Sequence, residues 1–326
     1  MLIVNDVASV GRRLYRGFQV KFDEVDFYQP LTNAITNNRL LLFIHRLALP
    51  LLLFFRSRGH LTLYFHYATL SYYSYLVRSK LVVHCHGTDL RENLNNCLRK
   101  KTLRALTRSH LIFYSTPDLS QYIPEEIRYK SRFIPNPIEV DFFSPAEKQI
   151  RQRQGITVFI ISKLDRTKGV NQLLKIINLL CEQPNICSVQ AFSHGNSVAD
   201  SLPQHEKLKW LPRLSQEQMR ERFRSADMAI GQLQLGAIGV TELEAMSCGL
   251  PTIAHFEYDK AYEVSVPIVK ASNAEEVMLA VDTLIDNQEL REKIGRESRK
   301  FVLQNHELGL ITDKILALFK EFNIKI

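Results

Sequence analysis

GAIGVTELEAMSCGLPTIAHF, residues 236–256, is the most informative stretch of the sequence. Gly236 and Gly239 precede a run of good helix formers, and Gly249-Leu250-Pro251 ends that run before an apolar strand. A glycine-rich loop that enters a helix at the carboxyl edge of a parallel sheet exposes backbone amides, and these favour a phosphate together with the helix dipole. The stretch therefore predicts an α/β domain with an anion site at this helix.

Glu244 lies inside the predicted helix, one turn after Val240. A carboxylate at this position can accept hydrogen bonds from the paired hydroxyls of a ribose while the phosphates lie at the start of the helix. The pattern alone leaves a second interpretation open, in which Glu244 is an exposed helical residue without a role.

Outward from this stretch, short apolar runs bounded by turn residues alternate with longer helical patterns. The candidate strands of the first half are LIV (2–4), EVDFY (24–28), LTLYFHY (61–67), KLVVHCH (80–86), HLIFYS (110–115) and SRFIPN (131–136). A second series begins at ITVFIIS (156–162), after an aperiodic connector at residues 136–145. The alternation predicts an α/β fold, with two Rossmann-like domains built on parallel sheets.

The composition is typical of a folded protein that is large enough for two domains, with 45% hydrophobic and 23% charged residues among 326. The five cysteines have no metal-ligand spacing, so neither a disulfide framework nor a zinc site is expected. The first residues have no signal-peptide pattern, and a cytoplasmic location is predicted.

The positive charge is concentrated in the first half of the chain. Residues 1–150 hold 20 Lys and Arg against 12 Asp and Glu, whereas residues 151–326 hold 22 of each. This asymmetry suggests that the first domain faces an anionic partner, for which nucleic acid, an acidic membrane leaflet and a phosphorylated acceptor are candidates. A basic surface that is merely solvated is the alternative.

LLLFIHRLALPLLLFF, residues 40–55, is the most apolar run of the chain, and arginines flank it. It is shorter than the ~20 apolar residues that a transmembrane helix needs, and His45, Arg46 and Pro50 interrupt it. Two interpretations remain: a helix buried on the sheet of the first domain, or a helix that lies on a membrane surface at the inner face.

Residues 236–256 resemble the donor-site signature of the GT4-type retaining glycosyltransferases of the GT-B fold, E-G-F-G-hydrophobic-x-x-x-E-A-M-A-x-G-x-P. Gly239 matches the second glycine, and Glu244 matches the second glutamate, which binds the donor ribose in that family. The resemblance places Gly239, Val240, Thr241 and Glu244 in the donor site. The first glutamate of the signature falls on Gly236, so the carboxylate that the family places beside the donor sugar is missing at this position.

Further matches extend over nearly the whole chain. ISKLDRTKGVNQLL (161–174) is similar to the family's G-R-L-x-x-x-K-G element. The resemblance implies that Lys163 and Lys168 bind the donor diphosphate, and that Lys168 also assists departure of the nucleotide. RFIPNPIEVDFFSP (132–145) resembles the interdomain linker of the family. MLIVNDVASVGRRLYRG (1–17) resembles its first strand, loop and helix, with Gly11 allowing close approach of the backbone to the donor.

KLVVHCHGTDLR, residues 80–91, places two histidines and Asp89 at the end of a predicted strand. His86-Gly87 resembles the family's strand-end histidine near the donor sugar and the acceptor. His86 is therefore a catalytic candidate that can bond sugar hydroxyls or assist proton movement near neutral pH. A structural role in satisfying nearby backbone groups is the alternative for His86, and it is the favoured role for His84.

The resemblance implies a GT-B protein in which two Rossmann-like domains face each other across a cleft. Residues 1–145 are the expected acceptor-side domain, 146–300 the nucleotide-sugar-binding domain, and 301–326 a helix that crosses back to the first. The implied activity is transfer of a sugar from a nucleotide-sugar to a glycan, lipid-linked or surface-presented acceptor, with retention of configuration and without a metal or other cofactor.

Three other classes of protein compete with this prediction. A nucleotide-sugar-binding protein without activity is possible because of Gly236. A nucleic-acid-binding protein is disfavoured because no recognised nucleic-acid motif is present, and a nicotinamide-dependent dehydrogenase because no G-x-G-x-x-G follows the first strand.

Overall fold

The chain folds into two α/β units, one of which is assembled from two separate segments. The computed structural model describes residues 1–32, 35–146, 155–165, 168–193 and 202–326. The first unit consists of Met1–Pro137 and Leu308–Ile326, and the second of Ile138–Glu307.

The first unit contains a six-stranded parallel sheet with the strand order β2-β1-β3-β4-β5-β6. Its strands are β1 (Leu2–Val4), β2 (Asp26–Tyr28), β3 (Thr62–His66), β4 (Lys80–Cys85), β5 (Leu111–Tyr114) and β6 (Ser131–Phe133). The helices of its first segment are α1 (Val10–Gln19), α2 (Arg39–Arg56), α3 (Ala68–Ser71), α4 (Thr88–Arg91), α5 (Arg99–Arg108) and α6 (Glu125–Arg128). The strand order reverses between β1 and β3, which is where parallel sheets open a crevice for ligands at their carboxyl ends.

The second unit contains another six-stranded parallel sheet, with the order β12-β11-β10-β7-β8-β9. Its strands are β7 (Ile156–Ile160), β8 (Ile186–Phe192), β9 (Leu208–Leu211), β10 (Met228–Ile230), β11 (Thr252–Ala254) and β12 (Val269–Lys270). Its helices are α7 (Val170–Glu182), α8 (Gln216–Ser225), α9 (Val240–Ser247), α10 (Ala274–Asp286) and α11 (Gln288–Asn305). The order reverses between β7 and β10, and the predicted α/β fold with two parallel sheets is confirmed.

The last helix, α12 (Leu308–Glu321), packs in the first unit against α1. A Cβ atom at Gly17 would lie 2.4 Å from Oγ1 of Thr312, so the two helices approach each other at a residue without a side chain. The α12 residues Ile311, Ile315 and Phe319 are buried. The apolar face of α12 is therefore buried within the first unit.

The unit boundaries at 137/138 and 307/308 differ from the expected limits of 145 and 300. Val140 and Phe143, in the segment read as a connector, are buried in the core of the second unit. The amide of Ile138 donates to the carbonyl of His306 at 2.7 Å, which joins the two ends of this unit. Apolar residues in a connector do not indicate by themselves which core they enter.

Candidate functional site

The loop between β10 and α9 in the second unit is organised by one buried side chain, Gln232. Its amide donates to the carbonyls of Ala237 (2.8 Å) and His255 (2.9 Å). Its side-chain oxygen accepts from the amides of Gln234 (3.0 Å) and Leu235 (2.6 Å). A single side chain therefore satisfies four backbone groups and fixes the loop that leads into α9.

Helix α9 begins after Gly239, and Glu242 closes its first turn. The Oε2 atom of Glu242 accepts from the amide of Gly239 at 3.1 Å, and its Oε1 accepts from the amide of Gln232 at 3.2 Å. Because the first amides of an α-helix have no carbonyl partner inside the helix, the N–H groups of Val240 and Thr241 lie where an anion is favoured. Glu242 is the structural carboxylate of this turn, a role that the sequence did not reveal.

Glu244, two residues further along α9 than Glu242, is also buried, with 8% of its surface exposed. Burial, with a further contribution from the negative charge of Glu244, raises the pKa of the Cys248 thiol to about 12. Cys248 is therefore not a candidate nucleophile at physiological pH, since only the thiolate reacts. The exposed-glutamate interpretation of Glu244 is wrong for this structure; its binding of a ribose stays a prediction.

The loop between β7 and α7 carries the two predicted lysines. Gly169 precedes α7 with a φ of 85°, and the amides of Lys168 and Val170 donate to the carbonyl of Asp165 at 3.0 and 3.2 Å. The surroundings lower the pKa of Lys163, first through partial desolvation and then through the positive charges of Lys168 and Arg213. These cations form a positive region that is suited to a diphosphate.

Two loops therefore flank the point at which the strand order of the second sheet reverses. The loop after β7 holds Lys163 and Lys168, and the loop after β10 holds Gly239 and leads into the turn with Val240 and Thr241. The carboxyl ends of β7 and β10 are neighbours in the sheet. The structure thus brings six of the seven predicted donor residues to one edge of the second unit, with Glu244 on the helix that starts there.

A further pair of polar residues follows β11 at the same edge. His255 Nε2 and Glu257 Oε1 lie 2.9 Å apart. The carboxylate of Glu257 lies against Gly236, where Oε2 would be 3.3 Å from a Cβ atom. No spacing rule connects residues 236 and 257, so their proximity could not be predicted from the sequence.

Gly11 and His86 lie at the carboxyl edge of the first sheet, in the other unit. A Cβ atom at Gly11 would lie 2.4 Å from the carbonyl oxygen of Asn5 and 3.2 Å from Cδ2 of His66. The loop before α1 also contains three non-glycine residues with positive φ, Asn5, Ala8 and Ser9. Gly11 is therefore required for close packing of this loop on the sheet, while its approach to a donor stays a prediction.

His86 is part of a cluster of three histidines at the ends of β3 and β4. Nδ1 of His66 and Nε2 of His86 lie 3.0 Å apart, and Nδ1 of His84 lies 2.9 Å from the Tyr64 hydroxyl. Burial lowers the pKa of all three, that of His86 to about 3. The rings are neutral at physiological pH, which favours a hydrogen-bonding role of His86 over proton transfer.

The histidine cluster also offers a possible ligand set for a metal. One ring nitrogen from each of His66, His84 and His86 lies within 4.8 Å of the others, the only such group in the described ranges. Two of these nitrogens are at hydrogen-bonding distance of each other, closer than the roughly 3.4 Å between ligands of a tetrahedral zinc ion with 2.0–2.1 Å bonds. The arrangement fits two hydrogen-bonded pairs, Tyr64 with His84 and His66 with His86, better than a formed metal site.

Asp89 holds the strand end on which His86 lies. Its Oδ1 accepts from the amide of Ala68 at 2.8 Å, and its Oδ2 accepts from the amide of His86 at 3.0 Å. Burial raises the pKa of Asp89 to about 7, against the opposing effect of these two hydrogen bonds. Asp89 therefore positions the backbone.

The comparisons with known proteins agree with this architecture. Residues 144–301, all within the second unit, match the model of the family described as Glycosyl transferases group 1. An uncharacterized glycosyltransferase of Methanocaldococcus jannaschii is 23% identical over 202 residues, which cover 57% of this chain. The chain matches 52% of the length of that archaeal protein, about half of it.

Solved structures match the fold over nearly the full chain. Sucrose-phosphate synthase from Thermosynechococcus elongatus has a TM-score of 0.75 at 13% identity, with 98% of each chain covered. Anabaena HepE in complex with UDP-glucose has a TM-score of 0.76 at 15% identity, with 98% of this chain and 99% of HepE covered. The two six-stranded parallel sheets therefore have the GT-B glycosyltransferase fold.

Proposed function

We propose that this protein is a GT4-like retaining glycosyltransferase that transfers a sugar from a nucleotide-sugar. The observation that carries the proposal is the edge of the second unit, where the loop with Lys163 and Lys168 and the loop that leads into the first turn of α9 follow adjacent strands. The diphosphate binds the two lysines and the amides near Gly239, and the ribose binds Glu244. The HepE structures with UDP and UDP-glucose support a nucleotide-sugar as the donor class.

In the proposed reaction, the bond between the anomeric carbon and the phosphate oxygen breaks, and negative charge grows on the departing nucleotide. Lys168, Lys163 and the helix amides stabilise that charge, and this is a role that metal ions fill elsewhere. An acceptor hydroxyl bonds to the anomeric carbon on the face that the nucleotide leaves, and its proton passes to the departing phosphate oxygen. Neutral His86 donates or accepts hydrogen bonds with sugar hydroxyls.

The donor class is tested by thermal unfolding with UDP-, GDP-, ADP- and CMP-linked sugars. A ligand at ~100 times its dissociation constant stabilises a protein by about 2.7 kcal/mol, so one nucleotide group is expected to raise the midpoint by about 5–10 °C. Transfer or hydrolysis of that donor, unchanged by a chelator, then separates a metal-independent enzyme from a binding protein without activity. No shift with any of the four groups would contradict the proposal.

We further propose that the acceptor is presented at an anionic membrane surface, in contact with α2. Leu42, Leu49 and Leu53 on one side of this helix are buried. The other side exposes seven apolar residues: Leu40, Leu41, Phe43, Ile44, Leu47, Leu51 and Phe55. One face of the helix thus packs on the core of the first unit, as the first interpretation of residues 40–55 predicts, and the other face is exposed.

The charge around α2 favours lipid over a second protein as the partner of this face. Arg39, Arg46, Arg56 and Arg58 are exposed on or next to the helix, and no Asp or Glu occurs from residue 27 to residue 88. Each basic residue near an anionic leaflet contributes ~1 kcal/mol, and apolar side chains on the same helix enter the interface. Within the described ranges, no helix is long and apolar enough to span a bilayer.

Vesicle flotation is expected to recover the protein with vesicles that contain anionic lipid, and recovery is expected to fall at 1 M salt, where the screening length is ~3 Å. Leu47→Glu is expected to weaken this binding about tenfold or more, because inserting a leucine side chain is worth about 1.5–3 kcal/mol. Leu279→Glu, at an exposed leucine of α10, is the matched control. Equal recovery from neutral and anionic vesicles, or a stable dimer that Leu47→Glu dissociates, would overturn the proposal.

A further inference from the structure

Gly236 leaves room for the side chain of another residue. The amide of Glu257 donates to the carbonyl of Gly236 at 3.0 Å, which holds the two residues together. The Glu257 side chain then folds back, so that Oε2 would lie 3.3 Å, and the carboxyl carbon and Cγ 3.5 Å, from a Cβ atom at position 236. Gly236 also has a φ of 65°, which disfavours any side chain there. A carboxylate from residue 257 occupies the space beside this glycine.

His255 fixes the direction of this carboxylate. Its Nε2 lies 2.9 Å from Oε1 of Glu257. Its backbone is bonded on both sides to Gln232, through its amide at 3.0 Å and its carbonyl at 2.9 Å. The Glu257 side chain is nevertheless 64% exposed. One carboxylate oxygen is thus oriented by a side chain that is anchored in the loop, while the group as a whole is open to a ligand.

The chemistry of the surroundings defines what this carboxylate can bind. It lies beside Gly236, which is three residues before Gly239, at the edge where Lys163, Lys168 and the start of α9 favour an anion. A carboxylate repels a phosphate but accepts hydrogen bonds from the hydroxyls of an uncharged group attached to it. We propose that Glu257, positioned by His255, accepts hydrogen bonds from the hydroxyls of the transferred sugar. This inference rests on the proposed function, and it supplies the carboxylate that Gly236 lacks.

The test compares two ligands of one protein by calorimetry: the free nucleoside diphosphate and the nucleotide-sugar identified by the thermal panel. Glu257→Gln is expected to weaken binding of the nucleotide-sugar about 10- to 100-fold, because hydrogen bonds to a charged group contribute affinity of this size. Binding of the free nucleotide is expected to stay within about twofold, because the phosphate and ribose contacts are unchanged. Glu263→Gln removes an exposed carboxylate from the same segment after β11 and is the matched control.

His255 is tested as a positioning residue. His255→Ala is expected to reproduce the selective loss of nucleotide-sugar affinity to a smaller extent. His255→Gln keeps a side chain that is able to donate to Glu257, so this variant is expected to retain most of the nucleotide-sugar affinity of the wild type. If Glu257→Gln weakens both ligands equally, or neither, the inference is overturned while nucleotide binding by the wild type still supports the proposed function. If the wild type binds no nucleotide, the proposed function itself fails.

Discussion

Lys168→Ala is expected to lower turnover by about 100- to 1,000-fold, the usual cost of removing one group that stabilises charge in a transition state. The lysine is half-buried in the loop just before α7, and its charge lies close enough to Lys163 to lower the pKa of that residue. The charge on the departing nucleotide is larger in the transition state than in the bound donor, so turnover is expected to fall more than donor affinity. Steady-state kinetics and calorimetry measure the two effects separately.

The matched control for Lys168→Ala is Lys175→Ala, because Lys175 lies on α7 and pairs at the surface with Glu275. Each variant removes one positive charge, from the loop just before α7 or from α7 itself, and only the first is expected to affect the reaction. An unchanged thermal midpoint shows that the fold is intact. Wild-type turnover in folded Lys168→Ala would remove the lysine from the reaction.

Phe319→Ala is expected to destabilise the first unit by about 3–5 kcal/mol, the range for truncating a buried phenylalanine. Phe319 is 2% exposed, and its ring stacks on Phe18 and Phe113 with centroids 6.2 and 6.4 Å away. It also meets Tyr64 edge-on at 6.1 Å. The aromatic cluster joins α12 to α1 and to the strands β3 and β5, so the loss is expected to reach the whole unit.

Denaturant unfolding followed by a probe in the first unit measures the effect of Phe319→Ala. Phe55→Ala is the matched control, because it makes the same substitution in the same unit at a side chain that is 57% exposed. The control is expected to change the free energy of unfolding by less than about 0.5 kcal/mol. Equal effects of the two substitutions would contradict the packing of α12 described above.

The loop, helix and turn of residues 236–251 could be predicted from sequence because their determinants are local. The helix formers after Gly239 and the turn at Gly249 lie within a few residues of one another, and glycine and proline restrict the backbone wherever they occur. The roles of Gln232 and Glu242 depend on where the loop folds in space. The position of Glu257 beside Gly236 depends on the pairing of β10 with β11, which no short spacing encodes.

The first unit was less predictable for a related reason. Residues 40–55 are apolar on every side, so their periodicity does not distinguish the buried face around Leu49 from the exposed face around Leu47. His66 joins His86 through the adjacency of β3 and β4, and its part in the cluster has no sequence signature.

The first unit is assembled from two separate segments of the chain, and this affects the order in which the two units can fold during synthesis. Ile138–Glu307 is one continuous segment whose ends are already bonded to each other, so it can fold once it has left the ribosome. The first unit is synthesised earlier but lacks α12, and with it Ile311, Ile315 and Phe319, until translation has reached the last helix. Until α12 is made, Phe18, Tyr64 and Phe113 lack the Phe319 ring that covers them. A chaperone that shields nascent apolar surface is therefore expected to engage the first unit rather than the second.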